Sequence, residues 1–476
     1  MALASDIPVH NTRKAPALSV GERLDRLPLG AFHWHLLWLI GAGLFIDVYD
    51  QMVGGAILAS FVKSGESNLT LNGYFLSSTF LGLMIGAWWA GVISDRYGRR
   101  VSFQINLLIF GLGSLAAVFA PSMTWLIAIR FIMSIGLGAE IVVASSTLME
   151  FMPTDKRGRQ VAIMSLTSSL GALAGNAAGY FIIPAFGWQW LFVLAAVGAL
   201  FVWFLRKALP ESPRWLEAKG RYDEAERIVR MIEGEHHKDC PPIGVKTPEA
   251  NPDVSSSVLF SRPVIKRTIV AVALNLAVQV GTWVMTAWVP TFLVKQGLTL
   301  SSSLGMASLM SVGSLTGAIT AIFLVENVGR KVAISSALLV GAAAAAYFPF
   351  SPNLVFAVAS GFALSATIYF LITLAYNIYV NEIFPTEFRQ RGTGFGITTG
   401  RFVLFLSPYL IVPLYQWGGS YAVFPIIVLL NLTALVAIMV FGVETRDRSL
   451  EAISAGVSQA VSQEDRQLMP APKAVG

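Results

Sequence analysis

An all-helical integral membrane protein, with twelve spans arranged as two six-helix halves, is the fold class this sequence predicts. Three observations predict it. Of the 476 residues 55% are hydrophobic and only 13% charged, against the roughly 25% charge of an ordinary soluble domain. Apolar windows of about twenty residues, the length that crosses a bilayer as a helix, recur along the whole chain. The two halves also repeat. Glu150-Phe151-Met152-Pro153-Thr154 returns as Glu382-Ile383-Phe384-Pro385-Thr386, an offset of 382 − 150 = 232, while Arg157-Gly158 against Arg391-Gly392 and Gly98-Arg99-Arg100 against Gly329-Arg330-Lys331 fall at 234 and 231.

In chain order, residues 1–33 form a polar, basic tail with no cleavable signal, since they lead straight into a full-length span. The spans are placed at 34–61, 73–93, 101–120, 124–149, 160–183, 188–206, 268–293, 303–325, 331–349, 353–380, 393–415 and 420–442. An N-terminal bundle thus covers 34–206 and a C-terminal bundle 268–442, followed by a tail over 443–476. The 207–267 linker divides in two. Pro213 to Glu235 has Ala, Glu and Arg at helical spacing around Trp215 and Leu216, which predicts short amphipathic helices; the part with Cys240-Pro241-Pro242, Pro248 and Pro252 reads as flexible.

Basic residues alternate between the two sides. One set of connections holds Asp95 to Arg100, Asp155 to Arg159, the linker, Gly329 to Lys331 and Arg389 to Arg391, whereas the other set has only Lys63 and Lys295 as basic residues. By the positive-inside rule both termini are cytoplasmic. The formal charge of +6 therefore reports membrane orientation, and no nucleic-acid partner is expected. A lone Cys240 excludes a disulfide framework, a zinc cluster and a redox pair within the chain. The histidines are terminal or in the linker, and no span carries a nucleophile with a base, so an enzyme, a metal site and a cofactor are not expected.

Five charges lie inside the spans: Asp47 and Asp50 in span one, Arg130 and Glu140 in span four, and Arg401 in span eleven. Each costs about 2.5–3.5 kcal/mol at a bilayer centre, so such residues face a protein interior or wet cavity and carry function. The repeat separates architecture from function. Glu150 and Glu382 are counterparts, as are Arg99 and Arg330, so these belong to the fold. Adding 232 to Asp47, Asp50, Arg130 and Glu140 reaches Gln279, Thr282, Phe362 and Ile372, and subtracting it from Arg401 reaches Ser169. None is charged, so the helical bundle does not require the embedded charges. Trp283, Trp288, Tyr369, Tyr376, Asn377 and Tyr409 form a wider aromatic and polar set, with Trp283, Tyr376 and Asn377 as candidate substrate contacts and interface belt or packing as the other reading.

These residues resemble a family. Gly91-Val92-Ile93-Ser94-Asp95-Arg96-Tyr97-Gly98-Arg99-Arg100 resembles the signature between spans two and three of the major facilitator superfamily. Arg130 with Gly136 and Gly138, Pro210-Glu211-Ser212-Pro213-Arg214-Trp215-Leu216, and Glu444-Thr445 with Ser449-Leu450-Glu451 resemble its sugar-porter-like branch. Asp47-Val48-Tyr49-Asp50 is similar to the Asp-Gly-x-Asp motif of aromatic acid/proton symporters, with Val48 in place of glycine. Thr399-Gly400-Arg401-Phe402 with Ser407-Pro408 resembles span eleven of those carriers and of organic anion transporters. Where sugar porters carry paired glutamines this chain has Ala277 and Val278, with Gln279 one place off and a further candidate substrate contact.

The resemblance implies alternating access by two rocking halves, with the substrate at their interface. It implies that Asp50 pairs with Arg130 and that protonation releases the arginine; Asp47 is a second candidate carrier. Glu140 is either part of the same relay or a buried partner for Arg130. Asp95, Arg99, Glu150, Arg330 and Glu382 are implied to form cytoplasmic ion pairs that gate the access change. Arg401 is the candidate for binding a carboxylate, its alternative role being an internal partner for Asp47 or Asp50. The function expected is proton-coupled symport of a small organic acid, an aromatic or other monocarboxylate, by a monomer in a bacterial inner membrane. A sugar or polyol symporter, a metabolite or drug exporter, and a non-transporting membrane sensor are the alternatives.

Overall fold

The computed structural model describes residues 20–153, 157–234, 256–324, 328–385 and 389–445. Every element among them is helical. The first half is built from α2 (Ala31–Ser64), α3 (Leu69–Tyr97), α4 (Arg99–Val118), α5 (Met123–Phe151), α6 (Arg157–Phe186) and α7 (Gln189–Leu205). They correspond to the first six predicted spans and overrun several apolar windows, because helical hydrogen bonding continues past the hydrophobic stretch.

A short α1 (Val20–Asp25) precedes them, and the linker supplies α8 (Pro213–Ala218) and α9 (Tyr222–Glu233). In the second half, span seven is α10 (Ile265–Trp283), a π-helical turn over Val284–Trp288 and α11 (Val289–Lys295). Spans eight and nine are α12 (Leu300–Leu324) and α13 (Arg330–Tyr347). Span ten joins α14 (Leu354–Leu371), a second π-helical stretch over Ile372–Tyr379, and α15 (Val380–Glu382).

The last two spans run together as α16 (Arg389–Phe441), which is two helices meeting at a kink. Gly418 (φ −144°, ψ 18°) and Gly419 (φ 61°, ψ −148°) make that corner, the second in a region that a side chain disfavours. The two π-helical stretches and this corner interrupt helices that the sequence reading treats as plain spans.

The repeat is visible in the packing. Gly82 and Gly86 of α3 lie so close to α5 that an added Cβ would stand 2.5 Å from the Phe131 carbonyl oxygen and 2.0 Å from that of Ile135. Gly313 and Gly317 of α12 meet α14 the same way, at 2.3 Å from Phe362 O and 2.0 Å from Ala366 O. All four glycine and carbonyl positions are offset by one register (313 − 82 = 231). Small residues that let backbones touch replace the hydrophobic drive that lipid cannot supply.

The two halves meet along α6 with α12 and α3 with α16. At the end away from the linker, α2 also crosses α11, and Gly55 lies against the Thr286 carbonyl, 2.0 Å from where its Cβ would be. Pro290, four residues beyond Thr286, has no N–H to donate to that carbonyl. The gap in the ladder and the bare glycine thus face one another.

The N-terminal tail departs from expectation. Within residues 1–33, described from Val20, α1 docks on α8 and α9 through Val20, Leu24 and Leu27 against Leu216, Ala225 and Val229. Arg23 is buried here between Glu226 (2.7 Å) and Glu233 (2.6 Å). The predicted flexible segment with Cys240 lies outside the described residues, as do residues 446–476 and Asp155.

Candidate functional site

The middle of α2 carries both acids, and the structure separates their environments. Asp50 Oδ2 accepts from Arg130 Nη1 at 2.5 Å, with both side chains buried. Arg130 also donates from Nε to Thr79 Oγ1 at 3.3 Å and lies 5.4 Å from the centre of the Phe75 ring. Helix α5 supplies the arginine on the face turned to α2 and α3. The pairing implied by the resemblance is therefore present as geometry.

Glu140 does something else. Its Oε1 accepts from Arg206 Nη1, so it is not the partner of Arg130, and that expectation is corrected. Ten residues separate Arg130 from Glu140 on α5, about 15 Å along the axis, too far to share one acid–base contact. Arg206 was absent from the sequence-derived candidates because it is the last residue of its apolar window, where a basic residue ordinarily marks the membrane edge. It turns inward instead, also donating to the Leu39 and Ile40 carbonyls at 3.1 and 3.0 Å.

Arg401 projects from the first arm of α16 across the seam between halves. Its Nη1 donates to the Leu83 carbonyl at 3.0 Å. The residue is 7% exposed and has no carboxylate within salt-bridge distance among the described residues. The alternative in which it pairs with Asp47 or Asp50 is not what the structure adopts. Tyr376 lies within electrostatic reach of it. Gln279 packs alongside, its Nε2 standing 2.0 Å from where a Cβ on Gly400 would be, and it donates to the Ile397 carbonyl at 3.5 Å.

Trp283 meets Phe80 of the other half edge to face, with ring centres 4.7 Å apart. Asn377 also crosses the seam, donating to Ser165 Oγ at 3.0 Å. Tyr376 and Asn377 both lie in the π-helical stretch of span ten, and such bulges are frequent at functional sites because they re-aim side chains. The structure thus brings Arg401, Gln279, Trp283, Tyr376 and Asn377 to the interface of the halves. Trp288 instead stacks on Phe292 in the core. Tyr409 is 55% exposed beside Tyr74 on the outer surface; eight residues beyond Arg401, it is turned about 80° around the helix from it.

At the linker end each half carries its own ion pairs. Arg99 bonds Glu150 at 2.7 Å and Asp95 at 3.0 Å, while Arg330 stands 3.7 Å from Glu382. Two further acids complete the symmetry. Glu211 accepts from the backbone N–H groups of Arg99 and Arg100 at 2.7 and 3.3 Å, and Glu444 from those of Arg330 and Lys331 at 2.8 and 3.1 Å. Each caps a helix N-terminus, where a carboxylate satisfies orphan donors and meets the positive end of the helix dipole. The sequence offered the signal, since 444 − 211 = 233 matches the repeat.

The family described as sugar (and other) transporter matches residues 42–456. The chain belongs to that family. Inner membrane metabolite transport protein YdjE of Escherichia coli is 32% identical over 443 residues, covering 91% of this chain and 98% of the relative. Niacin transporter NiaP of Acinetobacter baylyi is 32% identical over 440 residues, covering 91% and 99%. Among solved structures, the major facilitator superfamily proton:xylose symporter XylE bound to 6-bromo-6-deoxy-D-glucose superposes with a TM-score of 0.70 at 19% identity, covering 89% of this chain and 99% of that one. The protein is a multi-pass inner-membrane transporter of the major facilitator superfamily, in its sugar-porter-like branch, and not an enzyme. Its environment is the lipid bilayer and its substrate a small molecule.

Proposed function

We propose that this transporter moves a small organic anion, an aromatic monocarboxylate in the first instance, together with protons. The observation that carries this reading is Arg401: a buried guanidinium at the seam between the halves, bonded to one backbone carbonyl and to no acid among the described residues. A buried cation left without a partner costs several kcal/mol, so a position of this kind favours an arriving carboxylate, which a guanidinium receives in a planar, bidentate fork. Tyr376, Trp283, Gln279 and Asn377 provide aromatic faces and hydrogen-bonding groups around it. Niacin, named for one relative, is an acid of this shape.

Proton coupling rests on Asp50 and Arg130. Protonating Asp50 removes half of the buried pair, frees Arg130 and alters the balance between access states. Asp95, Arg99, Glu150, Arg330 and Glu382, with the caps Glu211 and Glu444, form the gate at the linker end. That end is cytoplasmic by the distribution of basic residues, the protein works as a monomer, and α2 backed onto Thr286 closes the opposite side. A sugar is the second reading, favoured by the fold likeness to XylE and by the amides of Gln279 and Asn377.

Uptake into proteoliposomes of nicotinate, benzoate, short aliphatic acids and a hexose, with and without an inward proton gradient, separates the two. Gradient-driven uptake of an acid, abolished by Arg401→Ala, is the expected result. Uptake of the hexose alone, or unchanged acid affinity in Arg401→Ala, overturns the anion reading.

A further inference from the structure

Asp47 is 1% exposed, and neither of its carboxylate oxygens has a hydrogen-bond partner among the described residues. The cation nearest in kind is already committed. Arg206 gives Nη1 to Glu140 and its other donors to Leu39 O and Ile40 O, with the Phe103 ring 4.4 Å beneath its guanidinium. The second oxygen of Glu140 is buried and unbonded as well. Gly43, one helical turn before Asp47 and on the same face, allows this approach. A Cβ there would stand 2.0 Å from Arg206 Nη2 and 2.8 Å from Glu140 Oε1.

The charges facing Asp47 are few. Glu140 comes from α5, Arg206 from the end of α7 and Asp50 from its own helix; Asp50 is neutralised by Arg130. Helix α6, packed along α2, contributes no acid or base between residues 160 and 186; α12 contributes none, and α11 has Lys295 only at its end. Two carboxylates therefore share one guanidinium in a buried setting. Fully ionised, the group would hold one uncompensated negative charge with no donor to stabilise it, and a buried carboxylate in that position neutralises rather than remains charged.

We propose that Asp47, Glu140 and Arg206 form a second proton-binding site, separate from the Asp50–Arg130 pair, in which Asp47 holds one proton while Glu140 stays ionised against Arg206. A hydronium ion gives its proton to an Asp47 oxygen and leaves as water. One O–H bond forms, one breaks, and the cluster passes from one negative charge to neutral. The arrangement explains why Asp47 lacks a cation of its own while Asp50, three residues on, has one. Resting on the symport reading above, the site gives the transporter room for a second proton in its cycle.

The test reads the proton itself. Infrared difference spectra of the full-length protein in liposomes, recorded on exchange from H2O to D2O at neutral pH and without substrate, should show a protonated-carboxyl C=O stretch. That band should persist in Asp50→Asn and vanish in Asp47→Asn. It should also vanish in Glu140→Gln, where Arg206 is released to pair with an ionised Asp47, which supplies a second variant should Asp47→Asn not fold. Absence of the band in the wild type, or its survival in a folded Asp47→Asn or Glu140→Gln, overturns the proposal. Because no transport is measured, failure of acid uptake removes the symport reading without deciding this site.

Discussion

Replacing Asp50 with Asn tests the coupling proposal most directly. The substitution keeps the shape of the side chain and one acceptor oxygen but leaves Arg130, itself 1% exposed, without a counter-charge. Breaking a buried ion pair by removing one partner costs about 3–5 kcal/mol, of which a surviving neutral hydrogen bond recovers about 0.5–1.5 kcal/mol. A net loss of about 2–4 kcal/mol, at 1.4 kcal/mol per factor of ten, shifts the balance of access states by roughly 30- to 700-fold where the pair forms in only one of them. The variant should then lose proton-driven accumulation while retaining counterflow exchange, both read as labelled acid in proteoliposomes. Accumulation equal to the wild type would refute the role of the pair.

Three other outcomes follow from the packing. Gly55→Ala places a methyl 2.0 Å from the Thr286 carbonyl, so α2 and α11 must part; reagents applied from the side away from the linker should label a cysteine at Ala287 faster in this background. Arg23→Ala takes the cation from the buried Glu233, while Glu226 keeps Arg230 at 2.6 Å; the loss of up to about 3–5 kcal/mol should raise hydrogen exchange in Val20–Asp25 while the spans stay protected. Burial alone would lower the Arg23 guanidinium, but hydrogen bonds and charge from Glu233 and Glu226 outweigh it and hold the group above its ordinary value. The cation's share of that stabilisation is full at every pH below the ordinary arginine range and is lost only as pH rises past the group's raised value, so no loss from this group is expected between pH 6 and 9. Glu211→Gln and Glu444→Gln each remove a charge from a helix N-terminus, worth about 0.3–1 kcal/mol. Thermal unfolding should show losses of similar size for the two, whereas a loss confined to one would contradict equivalent capping in the two halves.

Much of the site was legible because the bilayer makes charge conspicuous. Asp50, Arg130 and Arg401 stand out in apolar runs, and comparison of the halves set Glu150, Glu382, Arg99 and Arg330 apart from them, as charges the architecture repeats, with no structure in hand. Glu211 and Glu444 were within reach of the same comparison, since they obey the repeat. The partner of Glu140 was not. Arg206 stands where a span ends, and nothing local distinguishes an arginine that anchors at the surface from one that turns back across α2 at Gly43.

The sequence by itself determined that the chain crosses the membrane many times, that it consists of two copies of one unit, and which residues are too costly to bury without purpose. Composition, apolar length and repetition are properties of the chain read along itself. The tertiary structure decided which charges meet: Asp50 with Arg130, Glu140 with Arg206, and Arg401 with a carbonyl of the other half. It also decided the π-turns that aim Tyr376 and Asn377, and the docking of α1 on the linker. These depend on where separate helices approach one another in space, and a Coulomb contact falls off over a few ångströms whatever the distance along the chain.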